Sequence, residues 1–333
     1  MTNRPIYILG PCSAENREQV LITARQLLQA CGVQFVFRAG AWKPRTNPHT
    51  FQGAGEDALL WLREVKDTLG VPVATEVASP EHVQKAVAAG IDYLWLGART
   101  GASPIAVQEI ANAIKGHDVK GVLVKNPVNA DADLWIGNIE RLESTGIPVM
   151  AIHRGCNHQP CWAMAHAVRS ARPDIPLLID PSHMSGEAAQ IRHLLTKAEK
   201  LNYDGAMVEI HCCPDQALSD SRQQLSPESF RDILEECPRH LRDVSESDTE
   251  LQWLRAEIDE LDDCLWETLA SRMDVSTRIG EWKKAHGVTP LQPERYAEIL
   301  EKRKIWAQQN GMENSFIEQI FDLIHRESIK RQE

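Results

Sequence analysis

The sequence lacks any apolar run long enough to cross a membrane. A transmembrane helix needs about 18 or more consecutive apolar residues, and no stretch of the chain approaches that length. The N-terminal segment, Met1 to Ile8, has a single Arg and few apolar residues, so it does not look like an export signal. We therefore expect a cytoplasmic protein without a membrane partner.

Positive charge is also in the minority. The chain has 36 Lys and Arg against 47 Asp and Glu, for a net charge of -11. Proteins that bind nucleic acid carry a basic surface, so this balance argues against nucleic acid as a partner. Acidic small-molecule substrates are compatible with it, provided that Arg and Lys are concentrated at one site.

Cysteine is sparse, with 8 residues in a chain of 333. Because there is no secretory signal, we expect reduced thiols rather than a disulfide framework. The adjacent pair Cys212 and Cys213 is interpreted as small apolar side chains. Oxidation of one of them with Cys12 is the less favoured alternative.

Short runs rich in Ile, Val and Leu alternate with amphipathic segments such as 18–30 and 80–89. Runs that are apolar on both faces are typical of buried parallel strands, and the amphipathic segments are typical of crossover helices. Eight such units predict an α/β TIM barrel, (β/α)8, with a doubly wound open sheet as the structural alternative. The predicted strands are 6–9, 34–38, 71–77, 93–96, 121–125, 148–152, 176–180 and 206–211.

The pattern becomes wholly helical after Pro238. We predict a barrel domain over 1–238, a polar linker over 239–248 and an all-α domain of three helices over 249–333. The first helix has a length of roughly 35 residues, Pro293 begins the second, and Asn310-Gly311 ends it. Three helices cannot bury so long an apolar stripe within one chain, so we expect self-association. The stripe is formed by Leu251, Leu254, Ile258, Leu261 and Leu265.

Chemically capable residues follow nearly every predicted strand, where a TIM barrel carries its active site. One set is basic and would place about six positive charges in one cleft of an acidic protein, which favours phosphate and carboxylate ligands. The basic set is Arg38, Lys43, Arg45, Arg99, Lys125 and Arg154. Glu76, at the end of the third strand, is expected among the substrate-binding residues.

A second set mixes a thiol, an imidazole and two carboxylates, typical of a catalytic divalent metal site with open positions. These residues are Cys12, His183, Glu209 and Asp220. Their spacing is too dispersed to form a motif by itself. From the residues alone, metal binding and an unmetalled acid/base cluster are about equally favoured.

The barrel resembles the synthases that condense phosphoenolpyruvate with erythrose 4-phosphate to 3-deoxy-D-arabino-heptulosonate 7-phosphate (DAHP). The resemblance covers nearly the whole barrel and includes the short subfamily's motif at Lys43 to Gly53. The motifs, in the family's order, are GPCS at 10–13, KPRT at 43–46, GAR at 97–99, DPSH at 180–183 and LSD at 218–220.

The resemblance implies that the second set binds a divalent metal, with manganese expected first and iron, cobalt or zinc as alternatives. It implies that Arg99, Lys125 and Arg154 bind phosphoenolpyruvate, with Arg38 lining the same pocket. Lys43 would lie between the two substrates, and Arg45 and Thr46 would bind erythrose 4-phosphate. A sibling family that uses arabinose 5-phosphate, the 3-deoxy-D-manno-octulosonate 8-phosphate synthases, has Lys-Ala-Asn in place of KPRT.

In the helical region, Arg272 interrupts the apolar stripe with a charge, and a buried Arg needs an anion. Lys283 falls at nearly the same rotational angle, whereas Arg255 lies about 25 Å away along an ideal helix. One copy of the helix cannot direct all three at one ligand, but two antiparallel copies can. Ser328 and Gln332 extend the apolar face of the last helix as polar groups at i,i+4 spacing.

This region resembles the all-helical chorismate mutases, which are intertwined dimers. The resemblance implies that Arg272, Arg295 and a second copy's Arg255 bind the carboxylates of chorismate. Lys283 and Gln332 would stabilise the ether oxygen, with Ser328 in the same pocket. Tyr296 stands where many members carry a Glu that holds the ring hydroxyl, which leaves the substrate and rate open. A non-catalytic sensing or dimerisation module is the alternative.

Regulation is expected to involve the helical domain. The predicted barrel begins near residue 5, so the helical domain is the additional part of the chain that we expect to sense a pathway product. Prephenate bound there would inhibit the synthase through the linker. The expected protein is a homodimer joined by its mutase domains.

Overall fold

The computed structural model describes residues 5–43, 49–236 and 246–332. Eight parallel strands close into a barrel in sequential order, since β1 pairs with both β2 and β8. The predicted TIM barrel is confirmed, and the open-sheet alternative is wrong. The strands are β1 (Ile6–Gly10), β2 (Val36–Arg38), β3 (Val73–Val77), β4 (Tyr93–Leu96), β5 (Gly121–Lys125), β6 (Val149–His153), β7 (Leu177–Ile179) and β8 (Gly205–Glu209).

Helices α1 to α9 belong to the barrel. Several begin where a short polar side chain caps the first turn: Ser79, Ser103 and Asp131 each accept a hydrogen bond from the backbone N–H of the third residue of the helix. The helices are α1 (Arg17–Cys31), α2 (Glu56–Leu69), α3 (Pro80–Ala88), α4 (Pro104–Ile114), α5 (Ala132–Glu143), α6 (Trp162–Ala171), α7 (Pro181–Ser185), α8 (Ala188–Lys200) and α9 (Pro227–Glu236).

The strands separate two apolar cores. The smaller core fills the barrel interior and includes Ile8, Trp95 and Ile152. The larger core lies between the strands and the surrounding helices. Since successive side chains of a strand point to opposite faces, Ile152 faces the interior while its neighbours Ala151 and His153 face the helices. This alternation decides which strand-end residues reach the mouth of the barrel.

The remaining helices are α10 (Glu246–Ala285), α11 (Pro293–Gln309) and α12 (Asn314–Gln332). Pro293 begins α11 as predicted, and Asn310 is its C-cap. Helix α10 has 40 residues and so begins inside the predicted linker. Neither Pro nor Gly interrupts 246–249, so the helix can extend that far. The rest of the linker, 239–245, lies outside the described residues.

The chain divides into two compact units, Met1–Glu257 and Ile258–Glu333. The first contains the barrel and the N-terminal part of α10. The second contains the rest of α10 together with α11 and α12. None of the helices in the described part of the chain is both long enough and apolar enough to span a membrane.

Candidate active sites

A cavity of about 400 Å³ opens at the carboxyl ends of the barrel strands. The predicted basic residues Lys43, Arg99, Lys125 and Arg154 all line it, as does Glu76. Its other lining residues are Gly97, Ala98, Val128, Asn157, His158, His183, Asp220 and Gln223. Four cationic side chains in so small a volume create a strong local positive potential in an acidic chain. The cavity is therefore suited to small, multiply charged anions.

Three of the four predicted metal ligands form one cluster. The ligand atoms of Cys12, Glu209 and Asp220 all lie within 4.8 Å of one another. The Cys12 thiol donates a hydrogen bond to Asp220 Oδ2 at 2.9 Å. Burial, followed by the charge of Glu209, raises the pKa of Cys12 to about 12. Thus the thiol carries its proton unless a cation replaces it.

His183 lies beside this trio with its Nε2 at 3.5 Å from Glu209 Oε1. Its other ring nitrogen, Nδ1, is 2.9 Å from Asp180 Oδ2. A carboxylate on one imidazole nitrogen orients the ring and leaves the other nitrogen for a ligand. Burial lowers the pKa of His183 despite the opposing effect of Asp180. The ring is thus held in the neutral form that a metal requires.

Both oxygens of Glu209 are engaged. Gln223 Nε2 donates to Oε2 at 2.7 Å, and Arg38 Nη2 donates to Oε1 at 3.1 Å. Arg38 is 1% exposed and its guanidinium lies 4.7 Å from the centre of the Trp95 ring. Arg38 is therefore held behind Glu209 and is not among the residues that line the cavity.

Lys43 enters the cavity from the loop after β2. Its Nζ donates to the backbone oxygen of Cys12 at 2.9 Å. Burial by itself lowers the pKa of Lys43, but the neighbouring Cys12, Glu76 and Glu209 raise it above its usual value. The lysine is thus cationic. Arg45 and Thr46, predicted to bind the sugar phosphate, lie outside the described residues.

Lys125 and Asp180 form a buried ion pair between β5 and the loop after β7. Lys125 Nζ donates to Asp180 Oδ2 at 2.7 Å, and both side chains are at most 5% exposed. Burial alone raises the pKa of Asp180, but its contact with His183 and its ion pair with Lys125 hold it well below its usual range. Asp180 therefore connects Lys125, one of the cations that line the cavity, to His183, one of the predicted metal ligands.

Arg154 and Glu76, which both line the cavity, are each held in place by a close neighbour. The backbone N–H of Arg154 donates to Asn126 Oδ1 at 2.7 Å, which fixes the chain direction after β6. Opposite, Glu76 Oε1 lies so close to Gly97 that a Cβ at this glycine would overlap it. Any larger residue at 97 would displace Glu76.

In the helical unit, the predicted polar residues of α10 and α12 meet in two pairs. Arg272 Nη1 donates to the Ser328 hydroxyl, and Lys283 Nζ donates to Gln332 Oε1 at 2.8 Å. Close approach of the helices depends on Gly280, where an added Cβ would come within 2.5 Å of Gln332 Cα. Burial, followed by the charge of Arg303, lowers the pKa of Arg272. The partner of the Arg272 guanidinium in this hydrogen bond is a neutral hydroxyl rather than a carboxylate.

Helix α11 contributes Tyr296 and Arg295. The Tyr296 ring lies 5.4 Å from Phe321 and 4.5 Å from His325, centre to centre. Arg295 is largely exposed and pairs with Glu298 at 2.6 Å. Arg255 is exposed and belongs to the barrel unit. Its predicted reach into the pocket of a second copy stays a prediction.

The DAHP synthetase I family model matches residues 2–243, which is most of the chain. The chain belongs to the DAHP synthetase I family. A second match, to chorismate mutase type II, covers residues 254–333. The predicted resemblance to both families is confirmed.

Among curated proteins, the DAHP synthase region is similar to the phospho-2-dehydro-3-deoxyheptonate aldolase of Thermotoga maritima, 33% identical over 239 residues that cover 70% of this chain and 68% of that protein. The crystal structure of a Thermotoga maritima DAHP synthase aligns with a TM-score of 0.62 at 30% identity, covering 71% of this chain and 68% of the other. The 2-dehydro-3-deoxyphosphooctonate aldolase of Syntrophobacter fumaroxidans is 28% identical over 254 residues, 70% of this chain and 86% of its own.

The helical region is similar to the 4-amino-4-deoxychorismate mutase of Streptomyces venezuelae, 39% identical over 75 residues, or 22% of this chain and 73% of that protein. The chain is thus a bifunctional enzyme of aromatic biosynthesis, with a DAHP synthase domain followed by a chorismate mutase domain.

Three residues of the DAHP synthase site were missing from the predicted set. Asp180 pairs with Lys125 and His183, Gln223 holds Glu209, and Asn126 holds the backbone of Arg154. Asp180 directly follows β7 and begins the DPSH motif, so the sequence contained enough information to predict it as a site residue. Gln223 follows Asp220 in a loop where no periodicity marks the orientation of a side chain. Asn126 is the residue after Lys125, and its role depends on a contact with another strand.

Proposed function

We propose that the barrel condenses phosphoenolpyruvate with D-erythrose 4-phosphate to give DAHP and inorganic phosphate in a metal-dependent reaction. One observation carries this proposal: four cationic side chains line the same cavity as His183 and Asp220, two of the proposed metal ligands. A phosphorylated acid fits the cations, and an aldehyde oxygen fits a position beside a metal.

The donor set fits a divalent ion of the first transition series. Cys12 offers sulfur, His183 a neutral nitrogen, and Glu209 and Asp220 carboxylate oxygens. The partners Asp180 and Gln223 hold His183 and Glu209 in place. The metal, when bound, would polarise the aldehyde as a Lewis acid. We propose manganese first, with iron, cobalt or zinc as alternatives.

Phosphoenolpyruvate is assigned to the part of the cavity lined by Arg99, Lys125 and Arg154. Arg99 and Arg154 offer planar donors for its phosphate and carboxylate, and Lys125 adds a point charge. Arg38 acts one layer behind, by holding Glu209. With the substrate fixed, its C3 attacks the aldehyde carbon, and water adds at C2 as the phosphate leaves. Lys43 lies between the substrates, where it can give a proton to the new alkoxide.

Erythrose 4-phosphate is proposed as the sugar because of the KPRT segment at 43–46, in which Arg45 and Thr46 would bind its phosphate. Glu76 would line the sugar's side of the cavity. The similarity to octulosonate aldolases keeps arabinose 5-phosphate as the competing sugar. The two alternatives differ in the length of the sugar chain that would place its phosphate at Arg45.

The helical domain is proposed to convert chorismate to prephenate. Lys283 and Gln332 would support the ether oxygen, while Arg272, Ser328 and Arg295 would hold carboxylates. This rearrangement needs restraint and electrostatic support rather than a nucleophile. The similarity to a 4-amino-4-deoxychorismate mutase, together with Tyr296, makes the amino analogue a second candidate substrate.

A homodimer is proposed to complete the mutase pocket with Arg255 from a second copy. Large apolar side chains of α10 are exposed in the helical unit, including Ile258 at 59%, Leu261 at 69% and Leu265 at 51%. An exposed apolar stripe of this kind is typical of an interaction surface.

We further propose that the protein resides in the cytoplasm and that prephenate inhibits the synthase. The proposed domain limits are residue 238 for the barrel and residue 249 for the helical domain. A non-catalytic sensor is the alternative for residues 249–333.

The decisive experiment assays the purified full chain with phosphoenolpyruvate and erythrose 4-phosphate, with excess EDTA and after addition of manganese. We expect DAHP formation that EDTA abolishes and manganese restores. Full activity in EDTA would refute the metal dependence. Comparable kcat/KM values for erythrose and arabinose phosphates would refute the choice of sugar. Absence of prephenate from chorismate would favour the sensor alternative.

A further inference from the structure

The N-terminal part of α10, up to Glu257, belongs to the barrel unit although the DAHP synthase family match ends at residue 243. Within this segment Trp253 is 1% exposed and Ala256 is 2% exposed, whereas Leu254 between them is 46% exposed. A fully buried tryptophan is among the largest apolar contacts that a helix can make. The synthase barrel thus contains a tryptophan supplied by the helix that leads into the mutase domain.

Trp253 packs into an aromatic cluster on the outside of the barrel. Its ring lies parallel to His166 of α6 at 5.4 Å, edge-on to Trp162 at 6.3 Å, and tilted against Tyr203 at 5.6 Å. These distances are those of favourable aromatic pairs. The orientation of Tyr203 is therefore set in part by Trp253.

Two carboxylates of α10 clamp the same contact. His166 Nε2 lies 3.0 Å from Glu250 Oε2, and its Nδ1 lies 2.8 Å from Glu257 Oε1. Burial lowers the pKa of His166, but the two carboxylates raise it above its usual value. Glu250, Trp253 and Glu257 are spaced so that they share one face of the helix. This face of α10 thus contacts His166 and Trp162 of α6 and also Tyr203.

The cluster continues inward to the strand that carries Arg154. The Tyr203 hydroxyl is 2.7 Å from Nδ1 of His153, the last residue of β6. His153 is fully buried, and burial lowers its pKa to about 3, so the imidazole is neutral. Burial also raises the pKa of Tyr203 well above its usual value, so the hydroxyl stays protonated and can donate a hydrogen bond to Nδ1.

His153 is placed so that a shift in its position reaches the cavity. Its side chain faces the helices, while Arg154, the next residue, lines the cavity. Its backbone oxygen accepts a hydrogen bond from the Asp180 N–H at 2.7 Å, and the Asp180 carboxylate pairs with Lys125. Two of the cations assigned to phosphoenolpyruvate therefore depend on the position of this strand end.

We propose that Trp253 and Tyr203 are positioning residues of the synthase: Trp253 holds Tyr203 against His153 and thereby fixes the end of β6, from which Arg154 enters the phosphoenolpyruvate site. Neither residue touches substrate. The inference rests on the proposed assignment of phosphoenolpyruvate to Arg154 and Lys125. It makes the start of the mutase helix a working part of the synthase.

The test compares the full-length Trp253→Ala, Trp253→Phe and Tyr203→Phe proteins with wild type at saturating manganese. Tyr203→Phe keeps the ring and removes only the hydroxyl bonded to His153. Gln252→Ala, one residue from Trp253 on the same helix, is the matched control. KM is measured for each substrate separately, and phosphoenolpyruvate binding is measured by titration calorimetry, which does not depend on turnover.

We expect Trp253→Ala and Tyr203→Phe to raise KM and Kd for phosphoenolpyruvate by about 2- to 30-fold, the range of indirect couplings of this kind. The Phe variant of Trp253 should fall between wild type and Ala. KM for erythrose 4-phosphate should stay unchanged, because the residues proposed to contact it lie at the ends of β2 and β3 rather than β6. Mutase turnover should be unchanged in Tyr203→Phe, and Gln252→Ala should match wild type in every measurement.

Wild-type KM and Kd for phosphoenolpyruvate in folded Tyr203→Phe and Trp253→Phe would overturn the inference, whatever Trp253→Ala does. An equal rise in KM for both substrates would overturn it as well, since it would indicate general loosening of the barrel. A wild-type protein that binds phosphoenolpyruvate without forming DAHP would contradict the proposed reaction alone.

Discussion

The barrel unit and the helical unit hold their charged residues by different means. In the barrel, Lys125 pairs with Asp180 and Arg38 pairs with Glu209, and all four side chains are at most 5% exposed. In the helical unit, Arg272 meets only a hydroxyl among its described hydrogen bonds, and Arg295 is 59% exposed. The barrel supplies buried counterions, whereas in the helical pocket Arg272 has no carboxylate among its described hydrogen bonds and Arg295 pairs with Glu298 at the surface.

This difference follows from the two architectures. A closed barrel brings the ends of eight strands to one mouth, so acids and bases from distant segments meet within a single chain. Three helices cannot enclose a pocket to the same extent, and α10 exposes its apolar stripe. We therefore expect the synthase site to be preorganised in one chain, and the mutase pocket to depend on ligand and on a second copy.

The strongest test of the preorganised site is Cys12→Ala. Removing the thiol should prevent stable metal binding and lower synthase activity by a factor on the order of 10³ or more. This factor corresponds to the several kcal/mol by which a bound metal stabilises charge in the transition state. Chorismate turnover should be unchanged. The assay is DAHP formation with metal content measured in parallel. Cys213→Ala, which removes an exposed thiol from a neighbouring loop, is the control. Equal activity of the two variants would refute the metal site.

The corresponding test of the helical pocket is Arg272→Ala. Loss of a carboxylate partner should lower chorismate turnover by about 10²-fold or more, as removal of such groups usually does. Synthase activity and the thermal unfolding of the barrel should be retained. Arg278→Ala, on an exposed face of the same helix, provides the matched control. Unchanged prephenate formation by the Arg272 variant would favour the sensor alternative.

Communication between the two activities should be a smaller effect. If prephenate binds the mutase pocket and inhibits the synthase, its coupling should be about 1 to 3 kcal/mol, or roughly 5- to 150-fold in affinity. Arg272→Ala should then abolish prephenate inhibition of DAHP formation while leaving the uninhibited rate unchanged. Inhibition of equal strength in the variant and the wild type would place the prephenate sensor in the barrel.

The smallest expected effect concerns the clamp on His166, which faces Glu250 and Glu257. Its pKa is raised in the folded state, so its stabilising contribution is complete below the unfolded pKa of about 6.5 and is lost as pH rises through the folded pKa. His166→Gln should therefore lower Tm most at acidic pH, by at most about 2 to 4 °C. The measurement is a Tm series from pH 5.5 to about pH 9.

The control for this series is His193→Gln, on an exposed face of α8. It should leave Tm unchanged across the same pH range. A Tm difference between wild type and His166→Gln that grows with pH would contradict the assignment of a protonated His166 between the two carboxylates.

The sequence by itself determined the alternation of strands and helices, the helix limits at Pro293 and Asn310, and the basic residues that meet at the cavity. Each of these depends on local patterns: apolar runs, capping residues, and the rule that strand ends share one mouth. Arg38 also follows a strand, but its orientation toward Glu209 is a contact between strands that are far apart in the chain. No local pattern encodes such a contact.

Helix α10 illustrates what only the tertiary structure decided. Its periodic stripe of Leu251, Leu254 and Ile258 is exposed, while Trp253 and Ala256 on another face are buried against the barrel unit. Periodicity identifies which residues share a face, but it does not identify the surface that each face contacts. That choice depends on which surface has room for a tryptophan ring, and the cluster of Trp162, His166 and Tyr203 exists only once the barrel has closed.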